Sequence, residues 1–132
     1  MSFASAINTV LQGNAPLNAL VTDSNGNVNI YSYNLPDNFP ISLPSIVFTY
    51  KKEDGTHTLQ ERNILEEFVL YVVCLAPNSV TTETIGAAVR DLLDSYEDAN
   101  LLDLIYDDEM NGLDPEKERY YKSLQYKVTY KS

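Results

Sequence analysis

Residues 66–96 read EEFVLYVVCLAPNSVTTETIGAAVRDLLDSY. Phe68, Leu70, Val72 and Cys74 point to one side of an extended chain, and Val69, Tyr71, Val73 and Leu75 point to the other. Both sides are apolar, which predicts a central strand over Phe68 to Leu75, covered on both faces. Pro77-Asn78-Ser79 ends it. From Thr81 to Tyr96 the period changes to that of a helix. Ile85, Ala88, Val89, Leu92, Leu93 and Tyr96 form an apolar stripe, with Glu83, Arg90, Asp91, Asp94 and Glu97 on the other side. A buried strand leading directly into an amphipathic helix calls for a sheet with helices laid on it.

N-terminal to this unit, Ser45 to Lys52 carries Ile46, Val47, Phe48 and Tyr50 and reads as a strand. Asp54-Gly55 is the signal of a tight hairpin turn, with a returning strand from about Thr56 and a break near Glu61-Arg62-Asn63. Such a two-stranded arm is marginal alone. A projecting β-hairpin over Lys51 to Leu59 is therefore expected to touch another subunit, and Lys51, Lys52, Asp54 and Gly55 are the candidate assembly residues. Pro36, Pro40 and Pro44 exclude a regular helix or central strand from Leu35 to Pro44. Val28 to Tyr33 reads as a short strand. Ser2 to Gln12 reads as a helix with Phe3, Ile7, Val10 and Leu11 on one face, ended by Gly13. Pro16 then opens a second short helix.

C-terminal to the unit, Leu101, Leu102, Leu104 and Ile105 make a short apolar patch, and Asn111-Gly112 and Asp114-Pro115 read as turns. In the last segment Tyr120, Leu124, Tyr126, Val128 and Tyr130 share one face, interrupted by Lys122, while Tyr121, Ser123, Gln125, Lys127, Thr129 and Lys131 share the other. That alternation predicts an antiparallel strand with one wet face. The whole chain, 1–132, reads as a single α+β domain: a mostly antiparallel β-sheet with helices packed on one face.

The charge is uneven. Of nineteen acidic residues, eleven lie between Asp91 and Glu118, with Lys117 as their only base, and this stretch alone carries the net −10 of the chain. A field of that sign repels nucleic acid and attracts basic partners. Asp103, Asp107, Asp108 and Glu109 are the candidate acidic face, set against a DNA channel or a basic partner. These acids could in principle hold Mg²⁺ or Ca²⁺, but their spacing matches no calcium loop, so a solvated acidic face is expected and no metal.

Catalytic sets are missing from the pattern. His57 is the only histidine, the five glycines are scattered, and Cys74 lies within an apolar run. No nucleophilic triad, phosphate loop or zinc set can be composed, so the chain is expected not to be an enzyme and to need no cofactor. The longest apolar run, Phe68 to Ala76, is too short to span a bilayer, and the N-terminus does not read as a secretory signal. A soluble protein, intracellular at synthesis and without a membrane partner, is expected.

Five pieces of the chain together resemble the tail-completion, or tail-terminator, proteins of long-tailed bacteriophages: the N-terminal helix with APLNALV, the LPSIVFTY strand, EEFVLYVVCLAPNS, the helix VTTETIGAAVRDLLDSY, and the closing YYKSLQYKVTY. The resemblance implies a structural subunit of the virion, made in the host cytoplasm and placed at the head–tail interface. It implies a homo-oligomeric ring, six-fold or twelve-fold, stacked on a portal-proximal adaptor or on the tail tube. Genomic DNA would pass through the ring without specific binding, and no catalytic residue carries over. The charge supports an alternative of another class: a small acidic inhibitor that mimics DNA and blocks a basic nucleic-acid-binding enzyme.

Overall fold

A computed structural model of the chain describes residues 2–32, 43–53, 57–58, 64–94, 96–116 and 118–131. Helix α1 spans Phe3–Gln12, α2 Ala15–Leu20 and α3 Ser79–Leu93; the strands are β1 Ile30–Ser32, β2 Ser45–Lys52, β3 His57–Thr58, β4 Ile64–Ala76, β5 Leu101–Asp114 and β6 Arg119–Lys131. The sheet runs β1-β2-β4-β6-β5, with β3 paired to β4. Among the described residues only the β1–β2 pairing is parallel. The α+β class and the mostly antiparallel sheet are as the sequence pattern predicts.

Each helix opens on a side-chain cap that satisfies a backbone N–H left over in the first turn. Ser2 accepts from the Ser5 N–H at 3.1 Å, Asn14 from Leu17 at 2.9 Å and Asn78 from Thr81 at 2.8 Å. The Asn78 cap starts α3 two residues before the sequence-predicted start, and the helix stops at Leu93 instead of running to Tyr96.

All three helices pack on one side of the sheet. Their residues Phe3, Ile7, Leu11, Leu17, Ile85, Val89 and Leu93 form one core with Phe68, Leu70, Val72 and Cys74 of β4 and Leu124, Tyr126 and Val128 of β6. The Phe3 ring stacks on Phe68 at 4.1 Å and meets Tyr50 and Tyr130 edge-on at 5.0 and 5.5 Å. This aromatic knot fixes α1 to three strands, since such pairs add to simple area burial. On α3 the docking residues are Ile85, Val89 and Leu93, all fully buried, whereas Ala88, Leu92 and Tyr96 are only partly buried.

Three sequence expectations are corrected. The first concerns β4, which is central but covered by helices on one side only. Its second row is half-exposed at Tyr71 and Val73 and buried at Val69 and Leu75. The second concerns the hairpin. Lys52 pairs with Phe68 and His57 with Leu65, both antiparallel to β4. β3 therefore pairs with β4, in the same sense as β2, and not with β2 as a strand returning from a turn at 54–55 would. β4 extends past Phe68 and its backbone groups there need partners, which β3 supplies. Asp54 and Gly55 themselves lie outside the described residues, as do Pro36 and Pro40.

The third correction is β5. Residues read as an apolar patch followed by an Asn111-Gly112 turn form a 14-residue edge strand. Gly112 lies opposite Tyr121, and a Cβ at Gly112 would stand 2.5 Å from the Tyr121 ring. The glycine is there to seat that ring, not to turn the chain. The reversal comes one signal later, at Asp114-Pro115, as read.

Candidate assembly surface

The side of the sheet away from the helices is built from transverse rows, because directly paired residues share a face. One row holds Lys51, Val69, Lys127 and Ile105; the next Thr49, Tyr71, Gln125 and Asp108; the next Tyr31, Val47, Val73, Ser123 and Met110; and the last Ser45, Leu75, Tyr121 and Gly112. Val47, Tyr71, Val73 and Tyr121 are half-buried, and Ile105 and Met110 are 59% and 64% exposed. The result is an apolar band with a charged end. Its hollows measure 170 and 80 Å³, below the ~300–1,000 Å³ of a small-molecule site. A wider open hollow of 420 Å³ lies between α1 and β1, and no carboxylate, amine or imidazole lines it.

The structure separates the four candidate acids by side. Asp103 pairs across from Thr129 and Asp108 from Gln125, so both lie toward the helix-free face. Asp107 sits in the bulge between Tyr106 and Asp108 and accepts a hydrogen bond from Gln125 Nε2 at 2.8 Å. All three are exposed on the edge strand. Glu109 pairs across from Leu124, on the helix side. It forms an ion pair with Lys122 and accepts from the Tyr106 hydroxyl at 2.7 Å. Among the described residues no three His, Cys, Asp or Glu converge as metal ligands do.

Lys122 explains the interruption in the last strand's apolar face. Its stem lies under α3 at Gly86, where a Cβ would come within 2.6 Å of Cδ. Its amine reaches Glu83 Oε2 at 3.1 Å as well as Glu109. Burial alone would lower its pKa, and the two carboxylates outweigh it, so the pKa stands above the ordinary value. The hydrogen bond from Lys122, aided by Tyr106, holds the Glu109 carboxyl below its ordinary range. One base thus ties α3, β5 and β6 together. Burial pushes the Cys74 thiol up to about 12, leaving it neutral in the core.

A second tie lies beside it. The Arg90 guanidinium stacks on the Tyr106 ring at 3.7 Å and donates twice to Asp94, at 3.1 and 2.9 Å. Tyr126, fully buried, donates to the other Asp94 oxygen at 2.8 Å. Neither tie was legible in the sequence, since each joins residues from elements distant along the chain.

Of the hairpin candidates, Lys51 and Lys52 close β2, exposed. Lys52 pairs with Glu66 at 2.9 Å. Lys51 and Lys127 form no ion pair among the described residues.

No family model and no curated protein matches the sequence. Among solved structures, the chain is similar to one in the virion of a native gene transfer agent (GTA) particle. The TM-score is 0.68 at 18% identity, and the match covers 99% of this chain and 96% of that one. At that identity the likeness shows a shared fold over essentially the full length of both chains.

Proposed function

We propose that this chain is a structural subunit of a phage-like virion, resembling tail-completion or tail-terminator proteins, with no catalytic role. Copies close into a ring at the head–tail junction, on an adaptor or on the tail tube, and DNA passes through without being held. The observation that carries the reading is the end-to-end fold likeness to a chain of a virion particle. The charge fits the role. A subunit of net −10 repels phosphate on balance, and phosphate neutralisation dominates DNA binding.

The test is depletion. Particles assembled without this chain are expected to yield heads and tails that fail to join, and supplying the purified protein restores joining. Joined, infectious or transducing particles made in its absence overturn the proposal.

A further inference from the structure

The sequence holds two Asn-Gly pairs, Asn25-Gly26 and Asn111-Gly112, and the fold puts them in opposite settings. An Asn side chain followed by Gly is open to attack by the next backbone nitrogen, because Gly has no Cβ to block the approach. The ring closes only if the backbone can rotate to bring that nitrogen onto the side-chain carbonyl carbon. Asn111 and Gly112 are fixed in the β5–β6 ladder opposite Lys122 and Tyr121, and the Tyr121 ring lies against Gly112. Asn25 and Gly26 lie exposed in the turn between α2 and β1, outside every helix and strand. The Asn25 side chain has no hydrogen-bond partner among the described residues, so its amide is free to swing toward the Gly26 nitrogen.

One residue restrains this turn. The Asp23 carbonyl accepts from the Gly26 N–H at 3.0 Å, and the Asp23 carboxylate accepts from the N–H groups of Asn25 and Asn27 at 2.9 and 3.0 Å. These are surface bonds beside a single bridge, Thr22 to Val28. Such segments open at much lower cost than a strand ladder.

We infer that Asn25 is a site of self-modification, converted to aspartate and isoaspartate, and that Asp23 sets its rate. The Gly26 nitrogen gives up its proton and bonds to the Asn25 side-chain carbon. The bond from that carbon to its own nitrogen breaks, and ammonia leaves. Water then opens the cyclic imide at either carbonyl. One opening leaves aspartate; the other leaves isoaspartate, with an additional methylene in the backbone. The added length falls just before Asn29, which is 2% exposed and joins three segments. Its N–H donates to the Val21 carbonyl, its own carbonyl accepts from the Ile46 N–H, and its side-chain amide donates to the Pro44 carbonyl. The isoaspartyl form therefore loosens β1 at the edge of the sheet.

Peptide mapping of protein aged at mildly alkaline pH tests the site. Rates in urea supply the reference for each pair, since both are unfolded there. Folding should slow Asn111 at least about tenfold more than Asn25, because the turn opens more readily than the ladder. Asp23→Ala should speed conversion at Asn25 and leave Asn111 unchanged, which also reports that the variant is folded. The isoaspartyl form should melt below an Asn25→Asp protein, which carries the charge without the added length. Equal slowing of the two pairs, or greater slowing of Asn25, overturns the site. An unchanged Asn25 rate in Asp23→Ala, or a rise at both pairs alike, removes Asp23 from its role. Equal melting of the isoaspartyl form and Asn25→Asp overturns the coupling to Asn29.

Discussion

The residue that organises the acidic half of the molecule is a base. Lys122 was legible in the sequence only as a break in an alternating strand. The structure shows why a lysine can sit 7% exposed: Gly86 makes room for its stem, and Glu83 and Glu109 neutralise its amine. A buried charge that loses its partners is costly, so the pairing has a pH signature. Glu109 has a folded pKa depressed below its ordinary 4.5. Its contribution is fully present above that value and is lost as pH falls through the lower, folded value. At Asp98 burial would raise the pKa, but the Leu101 N–H, the Tyr96 hydroxyl and the Asn100 N–H together hold it down, so its contribution is lost at still lower pH, below its ordinary 3.8. Melting temperatures of the parent should fall below about pH 4.5. Glu109→Gln should begin lower at neutral pH and show a shallower fall; parallel curves for the two proteins would remove Glu109 from this role. Tyr126→Phe tests the neighbouring tie. Losing the hydroxyl that Asp94 accepts from should cost about 1.5–3 kcal/mol, as for a hydrogen bond to a charged group, and a denaturant midpoint equal to the parent's would contradict it.

At the level of elements, strand–helix succession was readable from β4 into α3 because both periods are long and clean there. β5 was not readable. Register shifts after Leu101 and after Tyr106 move its side chains out of step, so no period-two pattern survives. Its edge position fills it with Asp, Asn and Gly, which sequence reasoning assigns to turns. Gly112 in particular signals a hairpin until the Tyr121 ring is seen lying against it. Gly112→Val should therefore destabilise by roughly 1–3 kcal/mol, as overpacking does. The loss should shrink when Tyr121→Ala is present as well; an unchanged loss would mean the ring is not what the glycine accommodates. The α3 stripe was legible as a face, though its centre lies one residue on. Leu93→Ala, at a fully buried position, should cost about 2–5 kcal/mol. Leu92→Ala, only partly buried, should cost clearly less. Urea unfolding of the two variants decides it, and a reversed order would put the helix in a different rotation.

The whole molecule places its helices on one side of the sheet and a long acidic strand at the sheet's far edge. Apolar residues on both sides of β4 predicted cover on both faces, and the helices cover one of them. The charge asymmetry was plain from composition, but which acids are answered internally was not. Glu109 is spent on Lys122, while Asp103, Asp107 and Asp108 remain at the surface. The most direct measurement is electron cryo-microscopy of the native particle to which this chain belongs. The account predicts one closed ring of copies at the head–tail junction, with DNA on its axis. Density for this chain in the capsid shell or at the tail tip, or particles that lack it altogether, would contradict it.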